Sequence, residues 1–347
     1  MKNRKIVIDG SILSNVHSGI HRFMIENLVE LDKILEDGDV KVEIIYPRGL
    51  KIDIPKFENI KIKSLSYIPK CYRYIVLPLY LKFSRAVYCR MDNGSPVGKK
   101  NISCLHDLIP ITKEGGYEES EVERYKNRYK LIAKNSQTIV TVSENSKNDI
   151  CKYMKIPRER VKVVFNGWEH MQRICEDDKI FEKFPKLKNG DYVYALGNIL
   201  PHKNFNWIKK VAEKNPNICF AIAGRMFQTG KEEEIVAKNI IYLGRVTDEE
   251  NKALMKNCKL FVHPAKHEGF GIPPLEALAC GAKIAISSAS CLPEIYGDCA
   301  AYFEPDDYDI SIEQLLKQEV ADKNKVLDKY SWKKSAQRWY DIFKDAL

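Results

Sequence analysis

In the stretch KLFVHPAKHEGFGIPPLEALACGAKIAIS, residues 259–287, two carboxylates stand eight positions apart: Glu268 ahead of Gly269, Phe270 and Gly271, and Glu276 beyond Pro273 and Pro274. Ionised carboxylates only accept hydrogen bonds, and a pair of them suits neighbouring hydroxyls such as those of a sugar or ribose ring. Glycines at 269 and 271 let backbone come close to a ligand, and the N–H groups of a helix that starts at the prolines favour phosphate. Glu276 reads as a first-turn residue, where it would equally serve as a partner for the helix dipole. The triplet Asp307-Tyr308-Asp309 has the spacing of a metal motif, but it follows AAYFEP and reads as a solvated turn. The closest two of ten cysteines are eight apart, which excludes CxxC knuckles and predicts reduced thiols in a cytosolic protein.

Positioning such a loop requires a strand before it and a helix after it, and the chain supplies that rhythm almost throughout. Short Ile- and Val-rich runs alternate with longer amphipathic segments, the pattern of parallel βαβ units. Strands are expected at 5–9, 42–47, 101–107, 138–143 and 161–167, then at 192–197, 218–224, 240–244, 259–265, 282–287 and 300–305. Helices are expected at 118–133, 143–153, 204–214, 231–238, 248–257 and 273–280. The polar, irregular stretch around 170–190 reads as a connection, so the expected division is 1–172 and 173–330, followed by an amphipathic helix over 331–347. In open parallel sheets, ligands bind at the carboxyl ends of the strands, where the 266–272 loop would lie.

With 347 residues, 44% hydrophobic and 30% charged, the chain is long enough for two folded domains and too apolar for disorder. The longest apolar run, YIVLPLYL at 74–81, is too short to span a membrane, and the MKNRKIVIDG start reads as a buried strand rather than a secretory signal. The net charge of +9 lies wholly in residues 1–176, with 31 Lys and Arg against 22 Asp and Glu. Its densest part is 48–90, where ten basic residues are interleaved with Phe57, Tyr67, Tyr72, Tyr74, Tyr80, Phe83 and Tyr88. That mixture suits an anionic membrane or a phosphate-bearing partner, or else a solvated basic face over packed aromatics. No zinc finger, RNP-type strand or zipper supports nucleic acid as a partner. No GxGxxG follows the first strand, which argues against a dinucleotide dehydrogenase.

The block HEGFGIPPLEALACG resembles the E-x7-E motif of the retaining glycosyltransferases of family 4, and LHDLIPI, VFNGW, LGNILPHKNF and LPEIYGDCAAYF extend the likeness over nearly the whole chain. The resemblance implies an α/β GT-B fold, two Rossmann-like domains facing a central cleft, the last helix crossing back to the first domain. It implies a nucleotide-sugar donor, a glycan or glycolipid acceptor, no cofactor and no metal, and a cytoplasmic enzyme at the inner face of a membrane. By position, Glu276 would hold the donor ribose, Glu268 with Gly269, Phe270 and Gly271 the transferred sugar, and Lys203 beside Asn204 the diphosphate. Arg225 is a second candidate cation, since Asn198 stands where relatives place arginine. Gly19 matches a first-domain loop near the phosphates, with His17 and His21 beside it, and His106 and Asp107 a position beside the reacting carbon. A buried, hydrogen-bonded histidine would look the same at 106. A sugar-nucleotide epimerase and a catalytically silent sugar-nucleotide or lipid-binding subunit are the competing readings.

Overall fold

The computed structural model describes residues 4–14, 18–37, 39–52, 54–65, 71–112, 116–225 and 237–347. Its chain forms two compact units: Met1–Leu108, Glu118–Asn166 and Ser331–Leu347 make the first, and Ile109–Tyr117 with Gly167–Tyr330 the second. Residues 231–236 of the expected helix at 231–238, and His17, lie outside the described residues.

In the first unit, β1 (Ile6–Asp9), β2 (Val42–Pro47), β3 (Lys61–Leu65), β4 (Val87–Arg90), β5 (Asn101–Cys104), β6 (Ser136–Thr141) and β7 (Val161–Val163) form one sheet in the order β3-β2-β1-β4-β5-β6-β7. Every neighbouring pair is parallel. β1 is buried at all four positions, as an interior parallel strand covered on both faces must be. β3 and β4 were not among the expected strands. β3 exposes Lys61, Ile62 and Lys63 at the sheet edge, so neither an apolar run nor a clean alternation betrays it.

The helix Gly19–Ile34 begins where the Ser18 side chain accepts from the His21 N–H at 3.1 Å. Against it packs the helix Trp332–Ala346, with Phe23 edge-on to Trp332 and Trp339 at 6.4 and 6.3 Å. The Ser335 hydroxyl is shared between Asn27 Oδ1 at 2.6 Å and the Phe165 carbonyl at 2.7 Å.

The second unit repeats the plan. β8 (Tyr192–Leu196), β9 (Cys219–Ala223), β10 (Ile240–Gly244), β11 (Leu260–His263), β12 (Ile284–Ser287) and β13 (Ala301–Phe303) lie in the order β10-β9-β8-β11-β12-β13. Trp207 stacks on Phe303 in its core at 4.1 Å. In both sheets the chain winds outward from the first strand, then returns to its other side, so a switch point falls between β1 and β4 and another between β8 and β11.

The second unit begins at Gly167, ahead of the expected 172/173 boundary. Side chains explain the shift: Trp168 Nε1 donates to the Leu327 carbonyl at 2.9 Å, and His170 reaches Glu276. The stretch read as a bare connection contains the helical turns His170–Arg173 and Ile180–Lys183.

Candidate functional site

The chain leaving β8 turns at Pro201–Lys203 and passes through Asn204, whose backbone is left-handed (φ 56°), into the helix Phe205–Lys214. Asn204 tolerates that conformation because its side chain donates to the Pro264 and Pro305 carbonyls at 3.1 and 2.8 Å. Those bonds tie the β8 exit to the chain that leaves β11. Lys203 Nζ consequently bonds Glu268 Oε1, and His263, the last residue of β11, meets the same oxygen at 2.8 Å. Lys203, Glu268 and His263 thus converge at the β8/β11 switch point.

Burial alone would raise the Glu268 carboxyl, but the Lys203 charge and the His263 bond more than offset it and hold the group well below the usual carboxylate range. Burial lowers His263, with Glu268 opposing. Burial and then Lys203 lower the neighbouring His202 to about 4. The site is thus a charged pair, Lys203 with Glu268, set among imidazoles that burial favours in the neutral form.

The Glu268 backbone is fixed from the next loop: its N–H donates to Ser290 Oγ at 3.3 Å, and its carbonyl accepts from Ser290 Oγ at 2.9 Å and from the Cys291 thiol at 3.2 Å. Gly271 (φ 85°) caps the helix Ile272–Ala279, and its carbonyl accepts from the buried Tyr296 hydroxyl. A Cβ at 271 would come within 2.8 Å of Leu292 Cδ2. Phe270 packs its ring edge-on to Tyr330 at 5.3 Å, so its side chain is buried within the second unit.

Glu276 does not occupy the first helical turn. The helix starts at Ile272, its first turn contains no acidic residue, and Glu276 lies one turn further on, 7% exposed. Depth rules out a role as partner of the helix N-terminus. Its Oε1 is bonded instead to Nε2 of His170 at 2.9 Å, a histidine that the sequence did not single out because 106 positions separate the two. For both Glu268 and Glu276 the side-chain bonds converge on Oε1, and among the described residues no group bonds Oε2.

Arg225 is exposed, and its carbonyl accepts from the Ile199 N–H at 3.1 Å, which places it beside the β8 exit. Gly19, His21, His106 and Asp107 belong to the first unit. Gly19 is the first residue of its helix. His106 is 8% exposed, its Nε2–H donates to the Met91 carbonyl at 3.1 Å, and its ring lies edge-on to Phe23 at 4.9 Å. Burial lowers it. Asp107 is half-buried. At the β1/β4 switch point the sequence offered no warning of an ion cluster: Arg90 bonds Asp92 through Nε and Nη2, both at 2.6 Å, and Asp9 through Nη1 at 3.2 Å.

Asp307 turns its carboxylate onto the Asp309 N–H at 2.9 Å, the turn expected there. Among the described residues no group of three or more His, Cys, Asp or Glu is disposed to hold a metal ion. All ten cysteines are free thiols, and no described helix is long and apolar enough to cross a membrane.

Over its full length the fold is that of solved GT-B proteins. It matches HepE of Anabaena, solved with UDP-glucose, with a TM-score of 0.70 over 99% of this chain and 100% of that one, at 13% identity. By sequence it is 24% identical over 323 residues to the O-antigen chain mannosyltransferase RfbU of Salmonella typhimurium, covering 87% of each. It is 27% identical over 250 residues to the serotype-specific mannosyltransferase WbdA of Escherichia coli, a match spanning 65% of this chain and 29% of WbdA. Residues 176–334, the segment that carries Lys203, Glu268 and Glu276, match the family model described as glycosyl transferases group 1.

Proposed function

We propose that the chain is a glycosyltransferase that moves a hexose from a nucleoside diphosphate to a hydroxyl of a glycan or lipid-linked glycan, with retention at the anomeric carbon, in bacterial surface polysaccharide assembly on the cytoplasmic side of a membrane. The observation that carries this reading is the convergence of Lys203, Glu268 and His263 at the β8/β11 switch point, with a His170-anchored Glu276 on the helix that follows the same loop. The names of RfbU and WbdA make mannose the first hexose to test, and HepE makes a uridine donor the first control.

A departing nucleoside diphosphate gains negative charge as its bond to the sugar breaks, and a cation fixed beforehand where that charge develops lowers the barrier. Lys203 is that cation, held in place by Glu268 at the entry to the helix Phe205–Lys214, whose N-terminal dipole adds to it. Oε2 of Glu268 accepts from hydroxyls of the transferred hexose, and Oε2 of Glu276 from the ribose. The anomeric carbon loses its bond to the phosphate oxygen and gains one to the acceptor oxygen on the same face, while the acceptor proton passes to the departing phosphate. Lys203 supplies the charge that a metal would otherwise provide, so turnover persists in EDTA.

Thermal shift against a panel of nucleoside diphosphates and their sugars tests donor binding. A true donor at 100 times its dissociation constant stabilises by about 2.7 kcal/mol. With that donor, Lys203→Ala lowers kcat more than it raises KM, and the product keeps the donor's anomeric configuration by NMR. If no nucleotide sugar raises the melting temperature or is consumed, the reading fails. Turnover lost in EDTA and restored by Mn²⁺ overturns its metal-free part.

A further inference from the structure

The aromatic, basic segment 48–90 divides sharply once folded. Tyr72 and Tyr88 are buried, packing with Val7, Ile45 and Leu77, and the Tyr80 hydroxyl donates to Glu43 at 2.6 Å. Tyr72 and Tyr88 thus belong to the core and cannot meet a partner, and Tyr80 is half-buried against them. A different set is left outside. A wide helical turn, Tyr72–Val76, runs into the helix Leu77–Ser84, and on it Tyr74, Ile75, Leu79 and Phe83 are 75%, 55%, 48% and 80% exposed. Ile75, Leu79 and Phe83 recur every fourth residue, so they form one stripe along the helix.

A helix apolar on both sides needs two covers, and protein supplies one here. The charge around the stripe says what supplies the other. Residues 72–84 contain Arg73 and Lys82 and no acidic residue, and Lys82 and Arg85 are exposed beside Phe83. Lys61 and Lys63 are exposed on the edge strand β3, and Lys63 Nζ lies 4.9 Å from the Tyr80 ring, which sets that strand's cations next to the helix. An apolar stripe with Lys and Arg along its border and a tyrosine at one end fits the boundary between acyl chains and anionic headgroups. The rings and aliphatic chains enter the boundary, the long cationic side chains reach back to phosphate, and tyrosine sits at headgroup depth.

We propose that the face formed by Tyr74, Ile75, Leu79 and Phe83, bordered by Lys61, Lys63, Lys82 and Arg85, docks the protein on an anionic lipid surface. This inference is independent of the transfer reaction, since neither donor nor acceptor enters its test.

The full chain is sedimented with vesicles of phosphatidylcholine alone and of phosphatidylcholine mixed with phosphatidylglycerol. Binding to the mixed vesicles is expected to exceed binding to the neutral ones, and to fall as salt is raised. Leu79→Glu with Phe83→Glu should weaken it by about tenfold or more, and Lys82→Glu by roughly fivefold or more. Circular dichroism and an unchanged melting temperature establish that the variants fold, and Leu79→Ser with Phe83→Ser gives a milder pair should the glutamates unfold the helix. Equal binding of wild type and folded variants, or no preference for phosphatidylglycerol, overturns the proposal. So does a dimer in sedimentation velocity that the same substitutions abolish without any vesicle binding, an outcome that assigns the stripe to a second copy of the chain.

Discussion

Glu268 is held by two basic neighbours, Lys203 and His263, and Glu276 by one, His170, whose removal should reveal what that carboxylate does. His170→Ala leaves a buried Glu276 without the bond to its Oε1, a loss worth about 1–3 kcal/mol. Donor KM is then expected to rise by about fivefold to a hundredfold with little change in kcat, and His170→Gln, which keeps a donor, to recover part of it. A kcat defect at unchanged KM in steady-state kinetics would put Glu276 elsewhere in the reaction. His202 makes a second test, through pH. Its imidazole is buried, Nδ1 has no hydrogen-bond partner among the described residues, and its folded value near 4 lies below the ordinary 6.5. Between those values the unfolded chain binds a proton that the folded one does not, so stability is complete above about 6.5 and is lost as pH falls towards 4. At about pH 5 the His202 share of that loss is of the order of 2 kcal/mol. Urea unfolding of His202→Gln at about pH 7 and about pH 5 should show a correspondingly smaller drop than wild type.

Two glycines control how the strands of the second unit deliver their loops, and they differ in what surrounds them. At Gly224 (φ 145°) a Cβ would sit 1.8 Å from the Gly197 carbonyl oxygen, backbone that cannot give way. At Gly271 (φ 85°) the obstacle is Leu292 Cδ2 at 2.8 Å, the far end of a side chain that can rotate. Gly224→Ala should therefore prevent the β8 and β9 exits from forming and yield little folded protein. Gly271→Ala should fold with a loss of about 1–3 kcal/mol, from the left-handed backbone and local repacking, and with weakened donor binding. Equal expression and equal denaturation midpoints for the two would contradict this ranking. At this scale the sequence was legible wherever burial and capping agree. The helix Asp248–Asn257 matches its expected bounds, with Thr247 and Glu250 completing a capping box, and Ser143 caps Glu144–Met154 as expected. It was illegible where charge interrupts the period, as in β3, and where the helix start was misplaced by one residue, which moved Glu276 into the wrong turn.

The site was half legible for the same physical reason that the order of the chain through the molecule was. Glu268 and the glycines announce themselves by local spacing and Lys203 only by the family resemblance, whereas His170 and His263 act only through partners that the fold brings to them, and a histidine closing an apolar strand looks like any core residue. Long-range closure also decides how the first unit is completed. The chain leaves that unit at Asn166 and returns at Ser331, so its core is finished by the last residues of the sequence. Trp332, Trp339 and Phe343 are fully or almost fully buried there, and Phe23 of the helix Gly19–Ile34 lies edge-on to both tryptophans. Truncating a buried aromatic of this size removes its transfer energy and leaves a cavity, together about 3–5 kcal/mol. Trp339→Ala should lower the urea midpoint accordingly, and hydrogen exchange should locate the loss in the amides of Gly19–Ile34, which pack on the altered face. Lys333→Ala, on the exposed side of the same helix, should leave both measurements unchanged within about 0.5 kcal/mol. Undiminished protection of Gly19–Ile34 in Trp339→Ala would mean that the first unit holds its core without the returning helix.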